Sequence, residues 1–218
     1  MPENKTPDIA GQTPEQLLAR AYHLKDLNEA LDLYRDWAGT YDEAMVDGLG
    51  FVAPRVMASR LARHLKNPDG AILDIGCGTG LVGEALSSLG FRVIDGLDIS
   101  TDMLEEAGKR GVYRNLLDAD LTGTLPLDTA AYDAGICTGT FTHAHVGAEA
   151  LDEILRAIRP GGLFACTIHK DVWQPMGFAD KLEALKAGGA IREVEVQDGP
   201  YYKTSEQPDG KYVLIERL

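Results

Sequence analysis

Ala71-Ile-Leu-Asp-Ile-Gly-Cys-Gly-Thr-Gly-Leu-Val-Gly83 reads as a strand, a turn and a helix. Ile72, Leu73 and Ile75 make the short apolar run of a buried parallel strand. Gly76, Gly78 and Gly80 then fall at every second position. Glycines this close suit neither strand nor helix. They suit a loop with unusual backbone angles that lets a ligand approach the main chain. Thr79 is the expected cap of a helix that begins near Gly80 and carries Leu81, Val82, Ala85, Leu86 and Leu89. A glycine-rich turn between a first strand and its helix is where nucleotide-like cofactors bind in open α/β sheets.

The detail of the loop selects among cofactors. A P-loop would close on Gly-Lys-Ser/Thr, and here Leu81 follows Gly80. In the dinucleotide pattern G-x-G-x-x-G the third glycine would come one residue later than Gly80 does. Asp74 precedes the first glycine by two positions, and the loop holds no Lys or Arg. Backbone amides and a helix dipole can hold a pyrophosphate without a cation. A cationic cofactor with no phosphate fits better, and S-adenosylmethionine (SAM), a sulfonium, is one.

Leu73-Asp-Ile-Gly-Cys-Gly-Thr-Gly80 resembles the first motif of class I SAM-dependent methyltransferases. The chain past the loop agrees. Phe91–Leu97 reads as a second strand ending at Asp98, which lies 18 residues after Gly80. An acid there can accept hydrogen bonds from both ribose hydroxyls. The resemblance implies that Ile99 lines the adenine, with Ser100 and Met103 following. It also implies a carboxylate for the adenine amino group within Asp118-Ala-Asp-Leu121, after a third strand near 112–117. Asp120 keeps better register than Asp118, and Leu121 adjoins it. The cofactor set expected on this resemblance is Trp37, Tyr41, Asp74, Gly76, Cys77, Gly78, Gly80, Asp98, Ile99, Ser100, Met103, Asp120, Leu121 and Thr138. The product would be S-adenosylhomocysteine.

Residues 1–12 read as a flexible tail, 13–66 as a helical extension over the cofactor site and 67–218 as the methyltransferase core. Thr13-Pro-Glu-Gln16 is a helix start, with Thr as cap and Pro in the first turn. Leu27, Ala30, Tyr34, Trp37 and Tyr41 are spaced by threes and fours, which places them on one helical face. Tyr34-Arg-Asp-Trp-Ala-Gly-Thr-Tyr-Asp42 resembles the W-A-x-x-Y-D segment that precedes the core in many small-molecule methyltransferases. That implies a segment folded over the SAM pocket, with Trp37 near the cofactor and the Tyr41 hydroxyl at its carboxylate or at the reacting centre. An aromatic pair that simply docks a helix on the core is the other reading.

The acceptor side begins at Tyr132-Asp-Ala-Gly-Ile-Cys137, a fourth strand whose carboxyl end runs through Thr138 to His145. His143 and Tyr41 are the catalytic candidates: a histidine here can take a proton from a hydroxyl, thiol or amine. A polar loop histidine without catalysis is the alternative. His143 and His145 have no H-E-x-x-H or cysteine pair to complete a metal set, so no metal is expected. Arg159-Pro-Gly-Gly162 resembles the family's turn into the fifth strand, and Ile191–Val196 with Tyr212–Ile215 its final hairpin. The fold implied is α/β and Rossmann-like: a seven-stranded, mostly parallel sheet with an antiparallel last strand, plus N-terminal helices. Within the class, the chain looks most like the Williams–Beuren-region methyltransferase-like and ubiquinone-pathway small-molecule types.

Bulk properties narrow the partners. The chain has 218 residues and a formal net charge of −13. Nucleic-acid binding needs clustered Lys and Arg, and the amino-methylating N/D-P-P-Y/F pattern is missing, so a nucleic-acid acceptor is not expected. No apolar run approaches the ~20 residues that cross a bilayer. Cys77, Cys137 and Cys166 form no C-x-x-C, and a reduced, cytoplasmic protein is the simple expectation. The reading is a SAM-dependent enzyme acting on a small molecule, as monomer or homodimer. Its rivals are a SAM-binding sensor or assembly protein without chemistry, and an NAD-dependent oxidoreductase.

Overall fold

The computed structural model describes residues 9–24, 26–143 and 146–218. Seven strands form one sheet: β1 (Ile72–Ile75), β2 (Ile94–Asp98), β3 (Asn115–Asp118), β4 (Tyr132–Phe141), β5 (Ile158–His169), β6 (Ile191–Gly199) and β7 (Gly210–Arg217). Their order is β3-β2-β1-β4-β5-β7-β6. The first five run parallel, and β7 is antiparallel to both β5 and β6. This is the mostly parallel sheet with its antiparallel last strand that the sequence implied.

Strand alternation divides the core into two faces. On β5 and β7, Phe164, Cys166, Val213 and Ile215 face one way, toward α6 (Ala150–Ala157) and α8 (Phe178–Ala187). Leu163, Ala165, Tyr212 and Leu214 face the other way, toward α3 (Ala53–His64) and α4 (Leu81–Ser88). Because α3 packs on α4, β4 and β5, it is a layer of the sandwich. The cover over the site is shorter than the expected 13–66: it consists of α1 (Pro14–Tyr22), α2 (Leu27–Trp37) and the turns after them.

Three local expectations change. α1 starts as expected: Thr13 Oγ1 accepts from the Gln16 amide at 3.4 Å and Gln16 Oε1 from the Thr13 amide at 2.9 Å. α2, however, ends at Trp37; a 3-10 turn (Ala38–Thr40) and a π-helical turn (Glu43–Gly48) follow, so Tyr41 leaves the α-helical face it was expected to share. Arg159–Gly162 is no simple turn. It bulges from within β5, where Tyr132 pairs with Ile158 and Ala134 already with Leu163. The third strand lies at 115–118, three residues later than expected, because Gly111 with φ +64° ends α5 (Thr101–Lys109) in a turn. No helix among the described residues is long and apolar enough to cross a membrane.

Candidate active site

Strand order reverses at β1, which pairs with β2 on one side and β4 on the other. Ligands bind at such switch points, outside the carboxyl ends of the strands. A cavity of about 860 Å³, its open mouth included, lies there. Gly76 and Gly78 form its floor; Asp98, Ile99 and Met103 line it after β2, Asp120 and Leu121 after β3, and Thr138 to Thr142 at the end of β4. Ala30 and Tyr34 of α2, with Tyr41, close it from above.

The glycine loop has the predicted backbone. Gly76, Gly78 and Gly80 have φ of +64°, +52° and +91°, angles that side chains resist. A Cβ on Gly76 would lie 2.2 Å from Thr140 Oγ1, whereas one on Gly78 would meet nothing within 4 Å. The Gly78 amide donates to Asp98 Oδ2 at 2.8 Å and the Ser100 amide to Asp98 Oδ1 at 2.9 Å. The carboxylate is therefore fixed, and each oxygen keeps acceptor capacity for a ligand. Burial raises the Asp98 pKa against the opposing pull of these amides. Asp120 Oδ1 accepts from the amide and hydroxyl of Thr122, each at 2.8 Å. Asp118 is exposed and off the wall.

The wall's charge tests the cofactor. Among the described residues it carries two carboxylates, Asp98 and Asp120, and no Lys, Arg or His. A pyrophosphate would meet only acids. A sulfonium with an ammonium meets complementary charge, over an open Gly78 backbone. The residues present therefore fit SAM and disfavour a nicotinamide dinucleotide.

Six expected site residues lie off the wall. Trp37 is buried behind Tyr41, with ring centroids 4.8 Å apart, and packs in the core. Asp74 is fully buried beneath the loop. Tyr113 donates to its Oδ2 at 2.6 Å, Oδ1 has no partner, and desolvation raises its pKa to about 7. Tyr113 was not foreseen; its ring fits because Gly83 has no side chain, and a Cβ there would lie 2.3 Å from it. Cys77 is buried, and that burial pushes its thiol pKa up. Gly80 makes room for the Arg110 and Tyr113 side chains, which a Cβ there would meet at 2.8 and 3.0 Å. Ser100 caps α5, its Oγ accepting from the Met103 amide at 3.3 Å.

Thr79 is not the cap of α4; Gly80 is, without a side-chain bond. The Thr79 hydroxyl donates to Asp42 Oδ1 at 2.5 Å instead. Arg110 completes this latch, donating to the Thr79 carbonyl at 2.5 Å, to Glu84 at 2.8 Å and to Asp42.

His143, the sixth, is near the mouth. Its Nε2 is 3.0 Å from Asp171 Oδ2, and its ring lies 4.7 Å from those of Tyr22 and His169. His169 is buried, which lowers its pKa and keeps it neutral. The sequence suggested no metal set, yet His143, His169 and Asp171 come together with ligand atoms within 4.8 Å of one another. Tyr202 shares a 3.1 Å hydrogen bond with Tyr22. His145 lies outside the described residues.

Comparison with known proteins agrees with this geometry. Residues 73–166 match the family described as "Methyltransferase domain". The chain is 36% identical over 162 residues to human methyltransferase-like protein 27, covering 72% of this chain and 65% of that protein. It is 42% identical over 69 residues to the 18S rRNA (guanine(1575)-N(7))-methyltransferase of Saccharomyces cerevisiae, covering 32% of this chain and 25% of that one. The chain thus spans less than two thirds of the length of these relatives. The structure of DhpI, solved with S-adenosylhomocysteine, superposes with a TM-score of 0.62 at 23% identity, covering 86% of this chain and 94% of that one. The fold is therefore the one shared with that structure, and residues 73–166, which hold the glycine loop, match a methyltransferase domain.

Proposed function

We propose that the protein transfers the methyl group of SAM to a small-molecule acceptor. The observation that carries this reading is the acidic cavity at the switch point, roofed by Tyr34 and Tyr41. Bound SAM supplies a methyl carbon already activated by its sulfonium. The protein's task is then alignment more than chemistry. Gly76 and Gly78 bring the main chain against the methionine part. Asp98 accepts from the ribose, and Ile99 and Asp120 frame the adenine. Burial raises the pKa of Tyr34 to about 12 and that of Tyr41 well above its ordinary value, so both hydroxyls stay protonated and serve as donors, not bases. The acceptor meets the cofactor along Thr138–Thr142.

The roof of Tyr34 and Tyr41 and the net charge of −13 favour a small acceptor over RNA. Three buried, unpaired cysteines accord with a reducing compartment. Calorimetry with SAM, S-adenosylhomocysteine and NADH tests the cofactor, and product formation in a metabolite extract tests turnover. Binding of the first two, with product formed, is expected. SAM binding with no turnover would favour a sensor. Asp98→Ala should weaken SAM by about tenfold or more, as loss of charged hydrogen bonds does; unchanged affinity would remove Asp98 from the ribose.

A further inference from the structure

We propose that His143, His169 and Asp171 bind one divalent transition-metal ion of the zinc class at the mouth of the cavity. β4 and β5 run parallel with Phe141 opposite Ile168, so the residues just past them emerge side by side. Asp171 follows in the first turn of α7 (Lys170–Trp173). Asp171 Oδ2 lies 3.0 Å from His143 Nε2 and 3.7 Å from His169 Nδ1. Zinc bonds of about 2.0–2.1 Å in a tetrahedral set place donors roughly 3.4 Å apart, between those two distances. The whole donor set spans no more than 4.8 Å, and the exposed Asp171 side chain is free to close the remainder.

The donors select the ion. Two imidazoles and one carboxylate suit Zn²⁺, Co²⁺ or Ni²⁺, not Mg²⁺ or Ca²⁺, which take oxygen. His169 Nδ1 accepts from the Asp171 amide at 3.3 Å, a long capping bond that the ion would have to displace to take the same lone pair. His143 Nδ1 is buried and unpaired, so Nε2, which faces Asp171, is the ring's polar anchor and the nitrogen that would take the ion. Three protein ligands leave a coordination position open. Thr142, the chain neighbour of His143, lines the cavity. On the methyltransferase reading above, the ion would hold an acceptor hydroxyl or thiol and lower its pKa, with the proton leaving to solvent.

The test uses untagged, chelator-stripped protein without SAM. It is titrated with Co²⁺ by visible absorption and with Zn²⁺ by calorimetry. One ion per chain is expected, with the visible bands of nitrogen- and oxygen-ligated Co²⁺. His143→Gln and Asp171→Asn should weaken binding by about tenfold or more, the scale of loss at metal sites, while His64→Asn, at an exposed histidine, should leave it unchanged. Asp171 is 56% exposed, so its variant folds even if a buried-histidine variant does not. No bands and no heat, or equal binding by all variants, overturns the site. A parallel SAM titration separates the two readings: SAM bound without metal removes the ion and leaves the methyltransferase standing.

Discussion

Asp74 shows how one buried carboxylate makes stability depend on pH. Its side chain is fully buried, with Tyr113 and the Gly83 amide favouring the ion and desolvation and Asp98 opposing it. The folded pKa is about 7, against about 3.9 in an unfolded chain. Between those values the folded state holds a proton that the unfolded state has lost, so stability falls as pH rises through the window and the full penalty is present above pH 7. Asp74→Asn keeps an oxygen for Tyr113 and removes the ionisation. Urea unfolding of both proteins should show the variant gaining, relative to wild type, on the order of 2–3 kcal/mol between pH 5 and pH 8. Any constant cost of the amide cancels in that comparison. A difference that does not move with pH would mean that Asp74 does not titrate there.

At the scale of elements, the roof is held to the glycine loop by a polar latch. Asp42, just ahead of the π-helical turn, accepts from Thr79 and Arg110, and Arg110 also holds Glu84. Arg110→Ala removes the cation that ties three segments together. Amides of residues 38–48 should then exchange faster by hydrogen exchange, as a locally opened segment does, and SAM should bind several-fold more weakly. Unchanged exchange would show that packing of Leu33 and Trp37 alone holds the roof. This latch was not legible in the sequence, because Asp42, Thr79 and Arg110 are brought together by the fold. The β1–loop–α4 unit was legible because strand run, glycines and helix stripe are contiguous. Asp98 was placed by counting one helix and one strand onward. Trp37 was expected near the cofactor on the resemblance of its segment; the three-four spacing held as far as Trp37, whose face packs in the core, and the 3-10 turn after it carries Tyr41 off that face and onto the cavity. The histidine–aspartate cluster was invisible for the reason Asp42 was: β4 and β5 pair across intervening chain to assemble it.

At the scale of the whole molecule, charge bears on the acceptor. The chain's net charge is −13. Phosphate recognition needs cations that are free to release counterions. Two arginines are already engaged: Arg110, beside the glycine loop, with Asp42 and Glu84, and Arg60 of α3 with Glu195 while its guanidinium stacks 4.5 Å from the Tyr212 ring. Releasing either would leave carboxylates uncompensated on a surface that is already acidic. Electrostatic RNA binding is strongest at low ionic strength, so that is where a nucleic-acid acceptor would show itself. Fluorescence polarisation of the SAM-loaded protein with structured and single-stranded RNA at low salt should show no binding. Under the same conditions, label from methyl-tritiated SAM should pass from a whole-cell extract into the small-molecule fraction and not into RNA. Binding that weakens steeply with salt, together with label in RNA, would overturn the small-molecule reading. It would require phosphates to be held by the helix N-terminus and backbone amides around the cavity, since the acidic wall supplies no cation for them.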